Sequence, residues 1–392
     1  MKIARIEDLH ADFGWRTLSF LKVATDNGIV GWSEYYEGAG NRGLTAAIRA
    51  LGQSLIGQDA GSTERLIAHL NGQTIQAIGG INQQAVGALV NALLDIKAKS
   101  LGLPVHALFG GPIRDRLPLY WSHCASYRAR YPRELGQPAP KTYDDLARIG
   151  EDVRRQGFRA LKTTILLPDG DGFRNYRPTT GETAGFPELN LTHEVVEGTR
   201  RELEALQRGA GPGVRVMLDV NFFFKPEGFL RLARALEPLE LGWLEMDSYD
   251  PGALASVRRG TRVPIASCEH LYGRRGYRPF LDAGAIDVAI VDPIWNGFAE
   301  AMKIAALVDA YEMNVAPHNY YGYLSDFIAA NFAAAIPNLR VMEIDMDAVP
   351  WRHEFYTHAP EIAGGEMRVP MRPGWGTDIN EAGVRAHPPK AK

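Results

Sequence analysis

VRVMLDV (214–220), LGWLEM (241–246) and PIASCE (264–269) are three short apolar runs, and they carry the carboxylates Asp219, Glu245 and Glu269 at or next to their ends. Runs of this length, separated by longer helical patterns, mark repeated βα units and a parallel sheet. Working outward, the same rhythm gives LPLYWSHCA (117–125) and RALKTTIL (159–166) on the N-terminal side. DVAIVD (287–292), NVAPH (314–318) and RVMEI (340–344) continue it on the other. Helical patterns at 145–156, 193–208, 227–237, 299–311 and 326–335 fit the crossovers. Eight units over about 230 residues suit a closed β/α barrel better than an open doubly wound sheet.

Before the barrel the pattern is different. Residues 17–25 and 29–34 flank Asp26-Asn27-Gly28, a strong hairpin signal, and Met1–Arg5 lead into a further alternating strand. Helical patterns follow at 43–55, 62–72 and 82–101, the last stopping at Gly102 with Pro104 beyond it. The expected organisation is an α+β unit over 1–115, a barrel over 116–348, and a segment over 349–392 that packs back on the first unit. One stretch breaks the rhythm: 167–191 is rich in Gly, Pro and Thr and reads as a lid on the catalytic face of the barrel.

Composition narrows the function classes. A chain of 392 residues with 45% hydrophobic and 23% charged residues builds its own core. Cys124 and Cys268 lie in strand-like runs and read as reduced thiols, not a disulfide framework. A formal charge of −3 argues against a nucleic-acid surface. The absence of a long apolar run argues against a membrane span, and no secretory signal precedes the first strand, so a cytoplasmic enzyme is expected.

Barrel chemistry is built at the C-terminal ends of the strands. Those ends are Lys162, Asp219, Glu245, Glu269, Asp292, His318 and Glu343. Singly, each acid reads as a helix cap or a surface ion pair. Asp219, Glu245 and Glu269 fall on three successive strands, which lie about 4.8 Å apart, so the carboxylates converge and repel unless a cation sits among them. Hard oxygen ligands suit Mg²⁺ or Mn²⁺ over Zn²⁺. Asn221, two residues past Asp219, shares its face and can take a water or a substrate oxygen. On the next two strands Asp292 is placed to orient His318 as a base.

These residues resemble the enolase superfamily, and within it the mandelate racemase-like group. ALVNALLDIKAKSLGLPVHALFGG (88–111), LDVN (218–221), WLE (243–245), the Glu269 strand, VDPIWNG (291–297) and APHNYYGYLS (316–325) carry the likeness, which spans nearly the whole chain. The resemblance implies a (β/α)-barrel of the modified TIM type under an α+β capping domain, and a symmetric homo-oligomer. It implies Mg²⁺-dependent removal of the proton α to the carboxylate of a small-molecule substrate, through an enediolate. Lys162 would add positive charge at that carboxylate, and Glu343 falls where the family has a further acid. The cap loop holding Trp15 and Arg16 would close over the mouth and read the distal end of the substrate.

The sequence departs from the family at one informative place. Where mandelate racemase-like enzymes commonly carry Lys-x-Lys, this chain has Lys162-Thr163-Thr164. A threonine hydroxyl is no general base near neutral pH. That favours one-base β-elimination by His318, as in acid-sugar dehydratases, over a racemase or epimerase. Lactonising members are disfavoured too. Lys162 itself or a residue of 167–191 is the alternative second base. A non-catalytic metal- or sugar-acid-binding barrel is the competing class, and the Asp292–His318 pair speaks against it. His270, Tyr320, Tyr321 and His123 either line the pocket or belong to core and lid, and the Arg274–Arg278 cluster reads as a solvated face.

Overall fold

The computed structural model describes residues 1–38, 40–180 and 187–390. A three-stranded antiparallel sheet of Ile3–Asp12, Thr17–Thr25 and Val30–Tyr35 opens the chain. Gly28, at φ 87°, makes the turn that joins the second and third strands. Helices Leu44–Gln53 and Gly80–Leu101 pack on this sheet, Thr63–Gln73 packs on the second of them, and Gly80–Leu101 stops at the left-handed Gly102.

Eight parallel strands then close into a barrel: Arg116–Trp121, Ala160–Thr164, Arg215–Asp219, Leu244–Glu245, Ile265–Ser267, Val288–Val291, Asn314–Pro317 and Met342–Ile344. Closure comes from Met342–Ile344 pairing with Leu119–Trp121, and from Val315 exchanging backbone bonds with Asn338 and Arg340. All eight expected strands exist, but most are shorter than the apolar runs that announce them. The first stops at Trp121, because His123 and Ala125 take left-handed φ values of 48° and 67°.

Three features depart from the expectation. The stretch after the second strand is not loop throughout: Leu166–Asp169 and Gly172–Asn175 form an antiparallel hairpin, and 181–186, the middle of the expected lid, lie outside the described residues. Helices Pro251–Arg259 and Gly273–Asp282 supply crossovers that the patterns did not single out. The second holds the arginine cluster, where Arg274 and Arg278 pair with Glu300 and Asp282 on an exposed face. Finally, the C-terminal segment serves both units. Its Glu366–Arg368 strand pairs with the first barrel strand, whereas Trp375 donates to Trp32 O at 3.0 Å and Trp351 donates to Asp12 O in the cap.

The cap is fastened to the barrel along the helix Gly80–Leu101. A Cβ on Gly87 would lie 2.8 Å from Gly297 N and 2.9 Å from Ile294 O, so only glycine admits this backbone approach. Four residues on, Asn91 accepts from Phe298 N at 2.7 Å and donates to Pro293 O at 3.0 Å. Among the described residues no helix is long and apolar enough to cross a membrane.

Candidate active site

Inside the barrel Tyr120, Met217, Trp243, Ala266, Val288, Ile290 and Ala316 form a separate apolar cluster, with Ala160 and Val341 against it. Strand side chains alternate faces, so the residue two further on points inward one layer higher. Two past Ala160, Met217, Trp243, Ile290, Ala316 and Val341 stand Lys162, Asp219, Glu245, Asp292, His318 and Glu343. The site is therefore a polar layer resting on a dry one. The fifth strand breaks the count, since Glu269 lies three past Ala266. Cys268, at φ 91°, is the extra residue that turns Glu269 inward.

One ligand atom from each of Asp219, Glu245 and Glu269 lies within 4.8 Å of the others. Glu245 Oε1 is buried without a hydrogen-bond partner, an acceptor built for a cation. Burial pushes the Glu245 carboxyl up to about 7, and pushes Glu269 well above the carboxylate range. Two buried glutamates that resist ionising beside a third convergent carboxylate are what a divalent ion relieves, so the donor set fits a hard cation. Asn221 joins the group, donating to Glu269 Oε1 at 3.0 Å. A turn places it there, since its φ is 40° and the strand has already ended.

Lys162 lies beneath this triad, 3.0 Å from both Glu245 and Glu343 and 3.8 Å from Asp219. Burial disfavours its charge, but Glu245 and Glu343 outweigh burial and hold the ammonium protonated well above its usual range. The same partnership, with His318, overcomes burial at Glu343 and keeps that carboxyl at about 2. Lys162 is thus held as a cation among three carboxylates.

His318 faces the triad from the seventh strand, with Nε2 3.3 Å from Glu269 and Nδ1 2.7 Å from Asp292 Oδ2. Asp292 is itself held from four directions. Its Oδ1 accepts from Ile294 N at 2.6 Å and Trp295 N at 2.8 Å, while Oδ2 also accepts from the Tyr321 hydroxyl at 2.7 Å. Burial disfavours the imidazolium, yet Glu269 and Asp292 prevail and lift His318 to about 10. Tyr321 had no role beyond pocket lining in the sequence reading, and only its closeness to His318 in the chain hinted at one.

Thr164 stands beside Asp219 in the register of the second and third strands, and its hydroxyl accepts from Asn175 of the hairpin at 2.6 Å. His270 does not face the metal ligands directly: its Nδ1 lies 2.8 Å from Asp247, and Phe222 and Tyr249 pack edge-on against its ring. Trp15 stacks on Tyr131 at 4.7 Å, and Arg16 beside it is buried, donating to Tyr127 Oη and Tyr320 O. The cap loop does reach the barrel mouth, but the guanidinium is taken up by the protein. Tyr320 lies next to His318, with 5.0 Å between ring centroids.

A closed β/α barrel with three convergent carboxylates, a buried lysine and a carboxylate-oriented histidine defines a class of barrel that can hold a divalent cation beside an imidazole. Comparison with known families makes the placement specific. Residues 145–383 match the family described as enolase C-terminal domain-like, and 12–110 match the mandelate racemase/muconate lactonizing enzyme N-terminal domain. The chain belongs to the enolase superfamily. D-xylonate dehydratase of Haloferax volcanii is 28% identical over 94% of this chain and 84% of its own. A solved structure from Burkholderia xenovorans strain LB400, provisionally named L-alanine-DL-glutamate epimerase, is 48% identical with a TM-score of 0.97, covering 100% of this chain and 99% of that one. A second structure under that name is bound to magnesium and fumarate. A provisionally named dehydratase from Mesorhizobium loti is 26% identical with a TM-score of 0.85, covering 100% and 99%.

Proposed function

We propose that this protein dehydrates an acid sugar to a 2-keto-3-deoxy acid, with Asp219, Glu245 and Glu269 holding Mg²⁺ and His318 acting as the base. The observation that carries the reading is the asymmetry of the site. An oriented imidazole stands on one side of the triad, and a neutral Thr164 hydroxyl engaged by Asn175 stands on the other. When bound, the divalent ion supplies Lewis-acid charge stabilisation to the substrate carboxylate.

The chain's own groups do the rest. Lys162, held protonated beside Glu245, adds positive charge at the same carboxylate. Asp292 accepts the Nδ1 proton of His318, which leaves Nε2 as the proton acceptor facing the substrate. Glu269, 3.3 Å from His318 Nε2, is one of the residues that would hold the cation, and its engagement there would leave Nε2 to the substrate. His318 then takes the α-proton and, as imidazolium, returns it to the departing β-hydroxyl on the same face. The C–H and C–O bonds break, water leaves, and the enol tautomerises to the 2-keto acid.

Epimerisation is the second reading, favoured by the provisional name of the Burkholderia relative. It needs a base on each face of the α-carbon; the side opposite His318 carries Thr164, and Lys162 is bound between two carboxylates. A non-catalytic binding barrel would have no use for an imidazole set by four-fold anchoring of Asp292. The experiment is direct: with Mg²⁺ in D₂O, a panel of mono- and di-acid sugars is assayed for 2-keto acid and for α-deuterium. His318→Asn should abolish both and leave metal binding intact. Recovery of an inverted, deuterated acid without 2-keto acid would establish the epimerase instead.

A further inference from the structure

Opposite the metal triad in the ring of strands stands a second imidazole–carboxylate pair that the proposed reaction does not use. His123 follows the first strand and Asp345 follows the eighth, with His123 Nδ1 2.8 Å from Asp345 Oδ1. The ring lies flat on Tyr127, 4.2 Å between centroids at 7°. Its φ of 48° is left-handed, a conformation that persists where the surroundings enforce it and that gathers at functional sites. The side chain keeps 21% exposure, and Nε2 has no hydrogen-bond partner among the described residues. Tyr320 joins the two imidazoles, its ring 6.3 Å from His123 and 5.0 Å from His318. Arg16 lies 4.0 Å from Asp345, so the one buried cation here is balanced by a buried carboxylate.

We propose that His123 determines substrate specificity by accepting, at Nε2, a hydrogen bond from a hydroxyl at the far end of the substrate, and that Asp345 is its positioning residue. The proposal rests on the dehydratase reading and names its substrate class: polyhydroxy mono-acids in preference to di-acids. A carboxylate on Nδ1 keeps the proton there, which leaves a lone pair on Nε2. That lone pair accepts from a hydroxyl and repels a carboxylate. Arg16, the buried cation beside this pair, is offset by Asp345 and so is not free to receive a second acid group.

The test compares three probes: the best five- or six-carbon aldonate from a stereoisomer panel, the aldarate of the same configuration, and glycerate, which has no carbons beyond C3. Wild type should favour aldonate over aldarate at least tenfold in kcat/KM. His123→Asn keeps a residue tolerant of the left-handed backbone and withdraws the acceptor. It should raise KM for the aldonate roughly tenfold, the worth of one hydrogen bond, and leave α-deuterium wash-in to glycerate within about twofold. Asp345→Asn turns an amide N–H onto Nδ1, makes Nε2 a donor, and should narrow or invert the aldonate-to-aldarate ratio. Thermal melts matching wild type are the check that both variants are folded. Equal losses on aldonate and glycerate in H123N, or an unchanged ratio in D345N, would overturn the proposal and leave the dehydratase reading standing. A wild type silent on every probe would overturn both.

Discussion

Replacing Asp292 by Asn keeps the shape of the side chain and changes which hydrogen bonds it can make. The carboxylate accepts four donors: Ile294 N and Trp295 N on Oδ1, Tyr321 Oη and His318 Nδ1 on Oδ2. Backbone amides cannot reverse, so the Asn oxygen must stay with them at 2.6 and 2.8 Å and its NH₂ must face Tyr321 and His318. Tyr321 can rotate its hydroxyl and accept. His318 can accept at Nδ1 only as the tautomer protonated on Nε2, the atom that must take the substrate proton. Every buried group keeps a partner, so stability should change by only about 1 kcal/mol. Activity should fall about 10³- to 10⁴-fold in kcat, some 4–5.5 kcal/mol of barrier, as expected when an orienting carboxylate is replaced and the wrong tautomer is fixed. The assay is 2-keto acid release and α-deuterium wash-in at saturating Mg²⁺, with Tyr321→Phe as control. That change removes one donor without touching the tautomer and should cost less than tenfold. A D292N enzyme within tenfold of wild type would show that Asp292 does not set the histidine tautomer.

Further outcomes follow from other parts of the molecule. Chelation should abolish turnover without unfolding the chain, and Mg²⁺ at a hundredfold excess over Kd should stabilise the fold by about 2.7 kcal/mol, an increment lost in Glu245→Gln; calorimetry with and without the ion measures it. Glu202 is fully buried, and burial pushes its carboxyl up to about 8 although Leu166 N and Thr163 Oγ1 donate to it. The unfolded chain releases this proton near the ordinary carboxylate range, so the folded state holds more protons and wild-type stability falls as pH rises from about 4.5 to about 8. Glu202→Gln can accept from Leu166 N and donate to Thr163 Oγ1, and its advantage over wild type should grow across that window by up to about 1.4 kcal/mol per pH unit; denaturation curves showing a constant difference would count against it. Gly87→Ala gains about 1 kcal/mol of helix propensity, but its Cβ meets the 294–297 backbone. The net expectation is a loss of about 1–3 kcal/mol together with lower kcat, because that backbone carries the amides on Asp292; melts and turnover on one preparation test both.

The strand ends were legible because local rules place them: an apolar run, a period of two, then a charged residue one layer up. Asp219, Glu245, Asp292, His318 and Glu343 all obey that count. Glu269 does not; it is legible only as the end of the apolar run 264–269. Its inward turn depends on the left-handed Cys268, which no apolar pattern announces. His270 and Asn221 owe their placement to the same kind of turn, so their partners Asp247 and Glu269 could not be read off in advance. The hairpin after the second strand did have a signal, the turn dipeptide Gly170-Asp171, hidden in a Gly-rich stretch. Asp345 had one too, two residues past Glu343 and on the same face. What sequence could not supply for Arg16 was the set of aromatic and carbonyl groups, drawn from distant parts of the chain, that surround it.

The glycine crossing between the cap helix and the 294–297 loop has a mechanical consequence. With backbone seated on backbone at Gly87, and Asn91 clasping both sides of the same loop, the cap cannot tilt as a rigid visor without dragging the amides that hold Asp292. Any opening on the cap side would therefore fall to short rim segments such as 13–16, with the seam behind them left in place. A rim that moves on a hinge that does not lets the loop sequence be rewritten for a new substrate without disturbing the histidine it overlooks.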